Sequence, residues 1–189
     1  MDLKGKKVLV FGAGKSGIGA ADLLGSVGAQ PIIYDGNENL DKEAVLHKTN
    51  GTYTPEIWAG AFPEGEMESL DLVVLSPGVP TDLPLVKSFY EKGLPVWSEV
   101  ELAYRTGKGE VLAITGTNGK TTTTALLGKI MGDARESVFV VGNIGTAYTS
   151  KSLEMREDSV TVAEISSFQL ETIEQFRPKV SVDKPDDLR

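Results

Sequence analysis

Two short glycine-rich strings have the residue types and spacing of phosphate-binding loops. The first is Gly12-Ala13-Gly14-Lys15-Ser16-Gly17, a G-x-G-x-x-G. The second is Thr115-Gly116-Thr117-Asn118-Gly119-Lys120-Thr121. Glycines at these spacings let a turn close tightly and let a diphosphate approach backbone N–H groups at the start of a helix. In the second string, Gly119-Lys120-Thr121 reads as the end of a P-loop. Backbone amides and the lysine hold phosphates there, and the threonine hydroxyl ligates Mg²⁺. The loop is shorter than the general G-x-x-x-x-G-K-[ST] pattern, because Ile114 stands where the first glycine belongs. Each string also has a plainer reading: a turn that packs helix on strand, or a helix capped by the threonine run Thr121–Thr124.

Other side chains sit where they could serve these loops. Asp35 follows the first loop at about the 20-residue distance of the acid that binds a ribose hydroxyl in dinucleotide sites. Taken alone, that pair reads as a nicotinamide or flavin site. Glu164 ends an apolar run, and a carboxylate at a strand end beside a P-loop can reach the same Mg²⁺. Asn143, in Gly142-Asn-Ile-Gly145, can donate to a phosphate or a sugar, or simply make a turn. Ser166 and Gln169 can bind polar ligand groups, or Ser166 can cap a helix. His47, the one histidine, lies in a weakly patterned stretch and is assigned no role.

The elements that must position these residues alternate between strand and helix. Lys7–Phe11 is a short apolar, β-branched run ending in glycine, which predicts a buried parallel strand. Ser16–Val27 has apolar residues at helical spacing and stops at Gly28. Pro31–Asp35 and Leu70–Leu75 predict strands, the latter ended by the turn Ser76-Pro77-Gly78. Leu83–Lys92 predicts a helix and Leu94–Trp97 a short strand.

The pattern then restarts. A helix is expected over Glu99–Arg105, a strand over Gly109–Thr115 and a helix over Thr121–Met131. Strands are expected over Ser137–Val141 and Ser159–Ala163, and a helix over Gln169–Phe176, stopped by Pro178. Residues 36–68 are polar and poorly periodic, and no strand is expected there. The expected fold class is therefore α/β: a Rossmann-like parallel-sheet domain over residues 1–95, then a truncated P-loop α/β domain over 96–189. Ser181–Arg189 is charged and holds Pro185, so the chain stops where another strand should begin.

Composition narrows the function classes. The 189 residues are 40% hydrophobic and 24% charged, with a formal net charge of −8. That acidity argues against a nucleic-acid partner, which needs a basic stripe. Absence of cysteine excludes a disulfide framework, a cysteine nucleophile and a thiolate metal site. A single histidine excludes a multi-histidine zinc site. No signal-peptide core or membrane-length apolar run is present, so a cytoplasmic protein without a membrane partner is expected.

Taken together, Thr115-Gly-Thr-Asn-Gly-Lys-Thr-Thr122, Gly142-Asn-Ile-Gly145 and Ala163-Glu-Ile-Ser-Ser-Phe-Gln-Leu-Glu171 resemble the Mur ligase family, the ATP-dependent amide-forming ligases of peptidoglycan precursor synthesis. Ser76-Pro-Gly78 and the N-terminal glycine loop agree, and the short P-loop is the family's form. The Ser-Ser-Phe-Gln-Leu-Glu run points to the branch that adds D-glutamate.

The resemblance implies that the first domain binds the UDP part of UDP-N-acetylmuramoyl-L-alanine rather than a dinucleotide. Gly14, Lys15, Ser16 and Gly17, with Asp35, Gly36, Asn37, Ser76, Pro77 and Gly78, would hold uridine and diphosphate. It implies that Gly116, Thr117, Asn118, Gly119, Lys120, Thr121 and Thr122 hold ATP. Thr121 and Glu164 would ligate Mg²⁺, and Asn143, Ser166 and Gln169 would contact the muramoyl substrate or metal waters. Lys120 and Glu164 would then be the catalytic residues, with Lys120 and the Mg²⁺ that Glu164 ligates stabilising charge on the transferring phosphoryl group.

The chain departs from the family in length and in its last residues. Val182-Asp-Lys-Pro-Asp-Asp-Leu-Arg189 lacks the metal-binding histidine of the family's corresponding segment. A truncated, monomeric chain that does not make the amide bond alone is the expectation. The competing functions are a non-catalytic UDP-sugar-binding module and an NAD-dependent oxidoreductase, the latter leaving the P-loop unexplained.

Overall fold

The computed structural model describes residues 2–143 and 145–184. The chain forms two compact units that divide between Glu99 and Val100.

In the first unit, β1 (Lys7–Phe11), β2 (Gln30–Asp35), β3 (Glu56–Ala59), β4 (Leu72–Leu75) and β5 (Val96–Ser98) form one parallel sheet in the order β3-β2-β1-β4-β5. The continuous apolar runs explain the arrangement. Val8, Leu9, Val10, Leu72, Val73 and Val74 are all fully buried, as strands covered on both faces require. Helix α1 (Lys15–Ser26) packs on β1 and β2 through Ile18, Ala20, Ala21, Leu23 and Leu24. A core cluster joins Leu9, Phe11, Tyr34, Trp58, Val73, Val86 and Phe89, the last two from α3 (Pro84–Glu91). The Phe62 ring meets Tyr34, Trp58 and Phe89 edge-on, at centroid distances of 5.4, 5.6 and 5.8 Å.

The stretch 36–68 corrects the sequence expectation, because it contains β3 and the short helix α2 (Lys42–Leu46). β3 is a four-residue edge strand in which Ile57 and Trp58 alone are buried. So few apolar positions give no readable period. α2 owes its start to Asp41, whose carboxylate accepts the Ala44 N–H at 2.9 Å.

In the second unit, β6 (Glu110–Gly116), β7 (Val138–Gly142), β8 (Val160–Glu164) and β9 (Val180–Lys184) form a parallel sheet in the order β7-β8-β6-β9. Helix α4 (Glu99–Thr106) precedes it, and α5 (Lys120–Ala134) links β6 to β7. β8 is buried along its whole length between β6 and β7. The strand at Val180–Lys184 shows that the segment after Pro178 pairs with β6. Residues 185–189, including Pro185, lie outside the described residues.

The helix expected over Gln169–Phe176 is instead the short α6 (Ser167–Leu170) followed by turns. The reason is visible in α4. Its buried Glu101 carboxylate accepts the backbone N–H groups of Glu174, Gln175 and Phe176, which a continuing helix would have bonded to its own carbonyls.

Candidate functional site

In the first unit the sheet order reverses at β1. The chain runs from β1 to β2 and β3 on one side, then crosses to β4 and β5 on the other. The crevice outside the carboxyl ends of strands at such a switch point is where open α/β sheets bind ligands. The structure brings Gly12–Gly17, Asp35–Asn37 and Ser76–Gly78 to the ends of β1, β2 and β4 there.

The three glycines of the first loop do different things. Gly12 has φ 109°, and a Cβ on it would stand 2.8 Å from Ser76 Oγ. A Cβ on Gly17 would stand 1.8 Å from the Gly12 carbonyl oxygen. These two are fixed by packing. A Cβ on Gly14 would meet nothing within 4 Å, and no side chain caps α1. The chain itself therefore leaves the space over the helix start open, and the start of a 12-residue helix favours an anion there.

Asp35 is more constrained than the sequence suggests. Its two carboxylate oxygens accept the N–H groups of Ala13 and Asn37, each at 3.0 Å. It ties the glycine loop to the turn after β2, and Asn37 in turn accepts the Asn39 N–H at 3.0 Å. Lys15, Gly36 and Asn37 are exposed, and Ser16 and Pro77 are half-buried. The Val79 N–H closes the Ser76-Pro77-Gly78 turn on the Ser76 carbonyl at 2.9 Å. His47 is exposed at the end of α2.

In the second unit the short P-loop joins β6 to α5. Gly116 at φ 123° and Gly119 at φ 76° adopt backbone that only glycine takes readily. Lys120 curls back over the loop, and its ammonium donates to the carbonyls of Gly116 at 2.6 Å and Thr117 at 3.2 Å. Thr117, Asn118, Gly119, Thr121 and Thr122 are exposed.

Glu164 ends β8 in register with Ile114 of β6 and Gly142 of β7. Its side chain is buried, and Oε2 has no hydrogen-bond partner. An unpaired buried carboxylate oxygen is costly and calls for a cation or a donor. The residues therefore fit a Mg²⁺ site of the sparse kind, with one or two protein oxygens and the rest from phosphate and water. No group of three or more acidic or histidine side chains able to hold a metal occurs among the described residues.

Gly142 lets β7 close on β8, since a Cβ there would stand 2.0 Å from the Glu164 carbonyl oxygen. The Asn143 N–H donates to that same oxygen at 3.1 Å, leaving its side chain exposed.

Ser166 and Gln169 form a capping box. Ser166 Oγ accepts the Gln169 N–H at 3.4 Å, and Gln169 Oε1 accepts the Ser166 N–H at 2.7 Å. Gln169 is buried, and the helix-capping reading is formed here.

A cleft of about 530 Å³ lies between this helix and the P-loop. Thr115–Thr117 and Lys120 form one wall, Ser166, Ser167, Phe168 and Leu170 another, and Asp183 of β9 a third. Sequence reasoning missed Ser167, Phe168 and Asp183. Phe168 is 64% exposed although aromatic, and its place in the polar string Ser-Ser-Phe-Gln was the available signal. Asp183 could be found only from the register that sets it beside Thr115.

Comparison with known proteins gives matches to both units. Residues 6–98 match the description "Mur ligase MurD-like, N-terminal domain", and residues 114–182 match "Mur ligase middle domain". The chain is 59% identical over 181 residues to the UDP-N-acetylmuramoylalanine–D-glutamate ligase of Lachnospira eligens, and 56% identical to that of Lachnoclostridium phytofermentans. Each alignment covers 96% of this chain and 40% of the relative, so the chain spans about two fifths of the length of the curated relatives it matches. A solved structure, the UDP-N-acetylmuramate:L-alanyl-gamma-D-glutamyl-meso-diaminopimelate ligase from Neisseria meningitides, shares the fold with a TM-score of 0.55. Its sequence is 17% identical, and the match covers 95% of this chain and 60% of that one. Among the described residues no helix is long and apolar enough to cross a membrane.

Proposed function

The chain belongs to the Mur ligase family, and from that premise we propose that it is the portion of a D-glutamate-adding ligase that holds UDP-N-acetylmuramoyl-L-alanine and ATP. The single observation carrying this reading is the pairing of two phosphate-shaped loops in two separate units, the second beside a buried, unpaired carboxylate. The overall reaction is phosphoryl transfer from ATP to the L-alanine carboxylate, then displacement of phosphate by the D-glutamate amine. The setting is the cytoplasm.

In this reading the open helix start at Gly14–Gly17 binds the UDP diphosphate through backbone N–H groups. Asp35 holds the glycine loop and the Gly36-Asn37 turn in the shape that receives uridine and ribose. Ser76–Gly78 forms the opposite rim.

In the second unit, Lys120 leaves the Gly116 and Thr117 carbonyls and pairs with the ATP phosphates, an exchange of weak neutral acceptors for charged ones. The Thr121 hydroxyl and Glu164 Oε2 are the oxygens that would hold Mg²⁺. When bound, that ion offsets negative charge developing on the transferring phosphoryl group. Asn143 faces solvent at the end of β7, where it can donate to the muramoyl substrate.

The test is calorimetric titration of the chain with UDP-N-acetylmuramoyl-L-alanine and, separately, with NADH. Saturable binding of the first alone supports the reading. Binding of NADH alone overturns it in favour of an oxidoreductase. A second reading is a UDP-sugar-binding module without turnover, which the open helix start at Gly14–Gly17 would serve equally well. D-glutamate-dependent release of ADP by the chain would exclude that reading.

A further inference from the structure

The segment Glu171–Phe176 follows α6, whose residues line the P-loop cleft, and contains no regular element. Its anchor is one side chain of α4. Glu101 is 0% exposed, and its carboxylate accepts three successive backbone N–H groups: Glu174 at 3.0 Å, Gln175 at 2.9 Å and Phe176 at 2.9 Å. Arg105, one turn on, donates through Nε to Glu101 at 2.5 Å and through its terminal nitrogen to Glu174 at 2.6 Å.

Other side chains of α4 supply apolar contact to the same segment. Val100 and Ala103 share a core cluster with Phe176, against which Leu170 and Ile173 pack. The Tyr104 ring meets Phe176 edge-on at 5.3 Å, and its hydroxyl donates to the Arg177 carbonyl at 3.3 Å.

Three consecutive N–H groups converging on one point form a nest for an anion. Here the anion is a side chain of the protein, so the nest fixes backbone rather than ligand. Neither the capping box of α6 nor its four-residue length can hold the helix alone.

We propose that Glu101 is a positioning residue of the P-loop cleft: by closing the nest at Glu174–Phe176 it fixes α6, and through it the wall formed by Ser166, Ser167 and Phe168. The consequence for ligands rests on reading this cleft as the ATP site. The consequence for α6 does not.

The experiment uses the full chain and Glu101→Gln, which keeps the shape and removes the charge. Amide hydrogen exchange is followed at Glu174–Phe176, at the capping-box amides of α6, and at Ala113 and Val162 as core controls. The expected result is at least about tenfold faster exchange in the nest and in α6, with the core amides unchanged, as loss of charge-assisted bonds implies. Unchanged exchange in α6, or equal acceleration in the core, overturns the proposal.

Glu101→Asp retains the charge but shortens its reach, and is expected to fall between the two. It keeps the question answerable if the glutamine variant does not fold. ATP titration then adds the ligand side. A weaker Kd in Glu101→Gln, with UDP-N-acetylmuramoyl-L-alanine affinity retained, is expected. If the unsubstituted chain binds no ATP, the reading of the cleft fails while the exchange result still decides the role of Glu101.

Discussion

Gly17 stands so close to Gly12 that a Cβ on it would lie 1.8 Å from the Gly12 carbonyl oxygen. Helix α1 therefore enters the sheet at a distance only glycine permits. Gly17→Ala is expected to destabilise the first unit by at least about 2 kcal/mol, since the obstacle is backbone and cannot rotate away. Gly14→Ala, where a Cβ meets nothing, should leave the melting temperature nearly unchanged and weaken UDP-N-acetylmuramoyl-L-alanine binding. Denaturant unfolding and calorimetry on the two variants separate packing from binding.

Asp35 makes a different demand. Replacing it by Ala removes the acceptor of two backbone N–H groups, Ala13 and Asn37, in two loops at once. The variant should lose UDP-substrate affinity by about tenfold or more and leave ATP binding unchanged. Equal loss at both sites would contradict two independent pockets.

Lys120→Ala should do the reverse. The lysine donates to two loop carbonyls that tolerate solvent, so stability should change little. Triphosphate affinity should fall by roughly a hundredfold, the scale of lost charge-assisted bonds. Titration with ATP and with the UDP substrate reads both effects.

Glu164→Gln should separate metal from fold. The buried carboxylate has an oxygen without a hydrogen-bond partner. Neutralising it should leave the metal-free chain as stable or more stable. The rise in melting temperature that Mg²⁺ with nucleotide gives the unsubstituted chain should disappear. Thermal melts with and without Mg²⁺–ATP check both halves.

Acid should loosen the segment after α6 before the core. Burial alone would raise the Glu101 pKa, but Arg105 and the N–H groups of Glu174, Gln175 and Phe176 more than offset it and hold it below the ordinary glutamate value. A depressed carboxylate pKa contributes stability above the unfolded value, and that stability is lost as pH falls through the folded one. Stability should thus decline below the ordinary glutamate range, and Glu101→Gln should flatten the decline. Urea unfolding at stepped pH tests the sign.

Both loops were readable because they depend on local spacing, and so was the alternation of strand and helix, since the central strands are rich in apolar and β-branched residues. β3 was not, because an edge strand with two buried residues carries no period. The end of α6 was not, because its cause lies some seventy residues away in Glu101. Ser166 and Gln169 show the limit from the other side. Their types suited a ligand or a cap, and the structure forms the cap while Ser166 also lines the cleft. Phe168 and Asp183 join the cleft through strand register and helix position, neither of which any short string encodes.

The strand order also sets a timetable for synthesis. β6 carries the P-loop but lies between β8 and β9, whose residues leave the ribosome well after its own. Until Val180–Lys184 emerges, the strand that presents the phosphate loop has an open flank. The first sheet waits far less, because the residues of β5 complete it before β6 has been made. The nascent chain thus carries a finished sheet with its switch-point crevice while its P-loop sheet is still assembling, and pairing across such sequence distances is slow.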